Sequence, residues 1–203
     1  METVHQTKNE ITEGVIWKQL LLFFFPILLG TFFQQLYNTI DSVIVGQFVG
    51  KEALASVGGS SAQIVSLVVG FFTGLSSGAA VVIAQFVGAR KEETANAGLH
   101  TAYAIAAAGG IALTFIGIMT APFLLRLMNT PADTMDGSLT HLRIYFAGIL
   151  FVLIYNMGSA VLRAAGDSKT PLYILIICSI INIILDTAFV LLFHMGVAGV
   201  AVA

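Results

Sequence analysis

WKQLLLFFFPILLGTFFQQLYNTIDSVIVG, residues 17–46, is a run of apolar side chains long enough to cross a bilayer, which takes about 20 residues of helix. Two residues set it apart from a plain anchor. Pro26 removes a backbone donor and is expected to bend the helix as a hinge. Asp41 places an ionisable carboxyl inside the span. A charge near mid-bilayer costs at least about 2.5–3.5 kcal/mol on insertion scales, so a carboxyl kept there needs a partner and a task.

The rest of the chain has the same character. Of its 203 residues, 57% are hydrophobic and only 10% are charged, and the mean hydropathy is +0.92. A soluble domain carries roughly 25% charged residues, so the composition is that of an integral membrane protein. A net charge of −2 gives no argument for a nucleic-acid partner or for a polybasic lipid-binding surface. The one cysteine, Cys178, lies in an apolar run, and His5, His100, His141 and His194 are scattered without ligand spacing. Neither a disulfide nor a transition-metal site is expected. The stretch Gly166 to Thr170 looks superficially like a phosphate loop, but the upstream glycine is missing and a membrane helix precedes it. With no catalytic grouping of Ser, His, Asp or Cys either, the chain is expected to be no enzyme and to carry no cofactor.

Outward from the first run, the polar residues 1–16 form a tail, and a turn at Gly50-Lys51-Glu52 leads to four further apolar runs. These cover about 62–87, 96–125, 139–162 and 172–193. A last apolar stretch begins at about 197 and is too short to span. The expected fold is an all-α polytopic bundle of five spans and the start of a sixth, cut from a longer protein. Lys8, Lys18, Arg90, Lys91, Arg163 and Lys169 fall on one side of such a bundle, and Lys51, Arg126 and Arg143 on the other. The excess places the amino terminus in the cytoplasm. Gly70, Gly74 and Gly78 on the second span have the small-xxx-small spacing of a helix-packing stripe.

Only two acids lie within the spans, Asp41 and Asp186. Each sits roughly 12–14 Å from the outer surface, counted at 1.5 Å per residue, so both reach one depth independently. Gln34, Tyr37, Asn38 and Asp41 follow an i, i+3, i+4, i+7 stripe, and Asn182 stands one turn from Asp186. With Asn156 of the fourth span, these side chains suit a cavity holding a small cation. Two carboxyls in one buried site cannot both be charged cheaply, so the pair is expected to hold a proton or a sodium ion.

These stretches are familiar in combination. QQLYNTIDSVIVGQFVG (34–50) followed by Ala53-Leu54, AQFVGARKEE (84–93), LRAAGDSKTP (162–171), NIILD (182–186) and the closing GVAGVAVA resemble, in order, the multidrug and toxic compound extrusion (MATE) family and its prokaryotic DinF-like branch. The resemblance covers nearly the whole chain past the tail. It implies a two-lobed, twelve-helix exporter in the cell membrane, of which residues 17–203 are most of the amino-terminal lobe and the carboxy-terminal lobe is absent. It also implies export of cationic or amphipathic small molecules in exchange for H+ or Na+. On this resemblance Asp41, Asn182 and Asp186 match the cation site, Gln34, Tyr37 and Asn156 line the cavity, and Pro26 is the bending proline of the first helix. The alternatives are a flippase of lipid-linked oligosaccharides from the same superfamily and a membrane scaffold that transports nothing.

Overall fold

An apolar segment in lipid must satisfy its backbone groups internally, which leaves the α-helix as the element open to these runs. The computed structural model describes residues 16–203; the rest of the tail, with His5 and Lys8, lies outside them. The helices are α1 (Ile16–Ile44), α2 (Lys51–Gly58), α3 (Ser60–Gly88), α4 (Glu92–Leu127), α5 (Ala132–Ala164), α6 (Lys169–Thr187) and α7 (Val197–Val202). No strand occurs among the described residues. Five stretches are long and apolar enough to cross a membrane: Trp17–Val49, Lys51–Gly88, Glu92–Leu127, Ala132–Ala164 and Lys169–Leu192.

The helices outrun the apolar runs. The turn expected at Gly50-Lys51-Glu52 is only Gly50, whose φ of 119° favours a residue without Cβ. Lys51 and Glu52 open α2 instead, with the acid in the first turn, where a helix N-terminus favours it. Likewise α4 begins at Glu92, not near residue 96, with two glutamates in its first turn. Pro131 and Asp133 start α5 well before residue 139. Charged residues that look like loops in a hydropathy scan thus serve as helix starts.

α6 starts by side-chain capping. Asp167 Oδ1 accepts hydrogen bonds from the backbone N–H groups of Lys169 and Thr170, both at 3.0 Å. Partial burial pushes this carboxyl up, but the Thr170 hydroxyl, the two amides and the Lys169 charge together hold it below its usual range. A lowered carboxyl contributes stability above its unfolded value, and that contribution fades as pH falls through the folded one. Asp167→Ala is expected to cost about 1 kcal/mol at neutral pH. The difference from wild type should shrink below the ordinary value of 3.8. Thermal unfolding in detergent at the two pH values measures both.

α5 is the spine. α4 and α3 pack along it, and the core between them has two parts. Ile64, Ala121, Leu125, Leu142, Phe146, Ile149 and Leu153 form one, and Ile83, Ala102, Ala106, Met157 and Val161 form the other. α4 approaches closely because two of its residues lack a Cβ. One added at Gly110 would lie 2.7 Å from Leu150 Cδ1, and one at Gly117 would lie 2.3 Å from the Phe146 ring. Among the described residues the stripe expected at Gly70, Gly74 and Gly78 makes no contact: a Cβ there meets nothing within 4 Å. Spacing showed that a close approach was possible there, but α4 and α5 cover other faces of α3.

α1 and α6 form a second unit and run parallel. Leu172 and Leu175 lie against Gly30, and Val49 lies against Gly196 at the far end. Pro26 is buried and α1 passes through it as one continuous helix, while α4 contains a second proline, Pro122. Both α1 and α6 end in a five-residue π-helical turn, Val45–Val49 and Ala188–Leu192. Leu67, Phe71, Phe115, Met119 and Phe151 project outward, as lipid-facing side chains do.

Candidate functional site

Parallel packing of α1 on α6 determines which side chains meet. From the contact of Gly30 with Leu175, about three turns further along each helix, at 3.6 residues per turn, come Asp41 and Asp186. Their carboxyls interact across the helix pair. Asp186 is fully buried, at 0% exposure, and Asp41 is half-buried. Asn182, one turn before Asp186 and on the same stripe of α6, has a buried amide oxygen.

Among the described residues, four buried oxygens on these two helices lack any hydrogen-bond donor: Asp41 Oδ1, Asn182 Oδ1 and both carboxylate oxygens of Asp186. Buried polar atoms are nearly always paired, so a cluster of orphans calls for something that is not side chain. Two neighbouring carboxyls repel when both are charged, unless a proton or a cation neutralises one of them. The donor set is all oxygen, which suits a hard cation or a shared proton and suits zinc poorly. No cluster of three or more His, Cys, Asp and Glu side chains with metal-binding geometry occurs among the described residues.

Tyr37, one turn before Asp41, is partly buried, and Gln34 lies against its hydroxyl. Tyr37 is within electrostatic reach of Asp41 and of Tyr155 and Tyr145 on α5. Tyr145 stacks on His141, with ring centroids 6.4 Å apart, and His141 Nδ1 is buried without a partner among the described residues. Sequence reasoning missed this aromatic wall. Its signal was present as a tyrosine, a histidine and a second tyrosine on a single span.

The other residues of the expected cavity divide. Gln34 and Asn38 are exposed on α1, and the Asn38 backbone carbonyl accepts a hydrogen bond from Ser42 Oγ at 2.9 Å. Asn156 is not placed with the two acids. It lines a separate cavity of about 350 Å³ between α1, α3 and α5, with Phe23, Ser76 and Arg163, and its amide nitrogen donates to Val152 O at 2.9 Å. Tyr155 carries that part of α5 toward Tyr37 instead. A wider groove of about 630 Å³ lies at the opposite end, between α2 and the α4–α5 turn.

The MatE family model matches residues 26–188. The probable multidrug resistance protein YpnP of Bacillus subtilis is 36% identical over 95% of this chain. A MOP superfamily transporter of Pyrococcus furiosus superposes with a TM-score of 0.89 at 26% identity, over 96% of this chain. A multidrug resistance MATE family transporter in its outward-facing conformation gives a TM-score of 0.88 at the same identity and coverage. In each case this chain spans about 43% of the relative's own length.

Proposed function

The chain belongs to the MatE family, and from that premise we propose that it is most of the amino-terminal lobe of a two-lobed secondary exporter. The exporter removes cationic or amphipathic small molecules from the cell in exchange for H+ or Na+. Its amino terminus lies in the cytoplasm, its spans cross the cell membrane, and a second lobe completes the substrate path. One observation carries the antiport reading. Four buried oxygens of Asp41, Asn182 and Asp186 have no donor among the described residues, and an entering cation supplies what they lack.

The cycle follows from that deficit. A cation entering from outside neutralises the carboxyl pair. α1 then no longer gains by keeping Asp41 hydrated, and it repacks along α6, with Pro26 as the hinge and the π-helical turn after Asp41 as the loose end. π-helical turns recur at functional sites because they leave backbone groups less tightly held. Repacking narrows the space beside Tyr37 and Gln34 and releases the substrate outward. One charge crossing 100 mV is worth about 2.3 kcal/mol, within the range of about 1–3 kcal/mol typical of coupling between two sites.

The test is dye efflux from proteoliposomes holding the full-length protein, with a proton gradient and a sodium gradient imposed separately. Efflux is expected to follow one gradient and to vanish when it is collapsed. Efflux under neither gradient, with folded protein present, overturns the antiport reading. Movement of a lipid-linked oligosaccharide in the same vesicles would then favour the flippase, and no movement of either the scaffold.

A further inference from the structure

Hydroxyls within these helices usually bond the carbonyl four residues back, as those of Thr39, Ser42, Thr101 and Thr120 do. Thr73, Ser76 and Ser77 on α3 do not: among the described residues their hydroxyls have no partner. All three line the 350 Å³ cavity that holds Asn156. Ser76 is only 4% exposed, so its unpaired hydroxyl is turned into that cavity rather than into bulk water. Arg163, in the last turn of α5, lines the same space, half-buried and without an ion-pair partner among the described residues. The remaining wall is apolar, from Phe23, Ala80, Val81, Ala84, Ala160 and Ala164.

We propose that this cavity binds the oxyanion head of an amphiphile, a phosphate ester with an apolar body. The Arg163 guanidinium presents a planar fork of donors that matches two phosphate oxygens, and the hydroxyls of Ser76, Ser77 and Thr73 are free for the others. Phe23 and the alanines receive the apolar part. A hydroxyl and a guanidinium left unpaired at a membrane protein's interior surface are costly, and an anion satisfies both together. The site is distinct from the carboxyl pair: Phe23 and Asp41 are about 27 Å apart along α1 at 1.5 Å per residue. Its charge preference is also opposite. The amphiphile is either an anionic phospholipid from the bilayer or a phosphorylated molecule from solution.

The experiment uses full-length protein without any gradient, so its outcome does not depend on whether antiport occurs. In one arm, the protein is held in nanodiscs of phosphatidylcholine with a tenth part of phosphatidylglycerol, then released from lipid, and retained lipid is weighed by native mass spectrometry. In the other, nanodiscs of phosphatidylcholine alone are titrated with phenyl phosphate. Retention of phosphatidylglycerol in preference to phosphatidylcholine identifies a lipid source, and saturable phenyl phosphate binding identifies a soluble one. Either signal is expected to fall about tenfold or more in Arg163→Ala, as loss of a charged hydrogen-bonding partner does. It should fall less in Arg163→Lys, which keeps the charge and loses the fork. Ser76→Ala removes one small donor and is expected to weaken binding if Arg163→Ala does not fold. Wild type that retains no anionic lipid and binds no phenyl phosphate overturns the proposal. Binding unchanged in both Arg163→Ala and Ser76→Ala overturns it equally.

Discussion

Asp41→Asn is expected to reduce gradient-driven efflux to the leak of protein-free vesicles while the protein still inserts, folds and purifies in normal amount. The substitution keeps the shape of the side chain and removes its charge. A buried carboxyl facing another carboxyl is a liability to the fold, because both must leave water and each disfavours charge on the other. Asn at this position can donate from its amide to the Asp186 carboxyl, which otherwise lacks a donor at both oxygens among the described residues. Thermal stability in detergent should therefore be equal or higher, the reverse of what a purely structural role predicts. The proposed cation site, by contrast, loses one of its two carboxyls and with it the reason for a monovalent cation to enter.

Asp186→Asn should behave in the same way, and the double substitution should be no worse than either single one, since groups that act as a unit are not additive. Substrate binding should survive in Asp41→Asn but no longer weaken as the coupling cation is added. That reciprocity is what exchange through a shared helix requires. Normal efflux by Asp41→Asn would remove this residue from the coupling site. Loss of efflux together with a large fall in melting temperature would assign it to helix packing.

The matching of the two acids was legible from spacing, because two helices that enter from the same side carry equal depth to equal residue count. That α1 and α6 lie side by side was not, since hydropathy ranks a span's apolarity but says nothing about its neighbours. The same blindness explains the glycines. Gly70, Gly74 and Gly78 have the right spacing for a close crossing, yet the crossing is made by Gly110 and Gly117, where a facing large side chain exists. Asn156 was placed with the acids by its polarity and by the family resemblance, and in the structure it lines the cavity that Arg163 also lines. It is turned by about 100° from Tyr155 around α5, as successive helical residues are at 3.6 per turn. One residue along the chain therefore separates a side chain near Tyr37 from one in the Arg163 cavity. Helix starts were hidden for a third reason. Lys51-Glu52 and Glu92-Glu93 are polar, and polarity at a membrane surface looks the same whether the backbone is a turn or the first turn of a helix.

Gly117→Val is expected to prevent the lobe from folding, and Gly117→Ala to leave it folded but clearly destabilised. In lipid there is little hydrophobic gain in bringing helices together, so association rests on packing. The closest packing here is the Gly117–Phe146 crossing. A Cβ at position 117 would stand 2.3, 2.4 and 2.6 Å from three atoms of the ring, nearer than carbon atoms can approach. The ring cannot turn away, because Phe146 is 2% exposed and sits in the core with Leu142, Ile149 and Leu125. The helices must separate instead, which loosens contacts along their shared length. Overpacking of this kind typically costs about 1–3 kcal/mol for a single added methyl, and the branched valine adds two more carbons at the same point. The control is the partner. Phe146→Leu removes the ring that the new methyl strikes, so Gly117→Ala combined with Phe146→Leu should be more stable than the sum of the two single losses predicts. Residues in direct contact couple by about 0.5–3 kcal/mol, enough to read from melting temperatures in detergent. Additive losses would mean that Gly117 is needed for some reason other than the approach of α4 to α5. A Gly117→Ala protein as stable as wild type would mean that α4 does not cross α5 here.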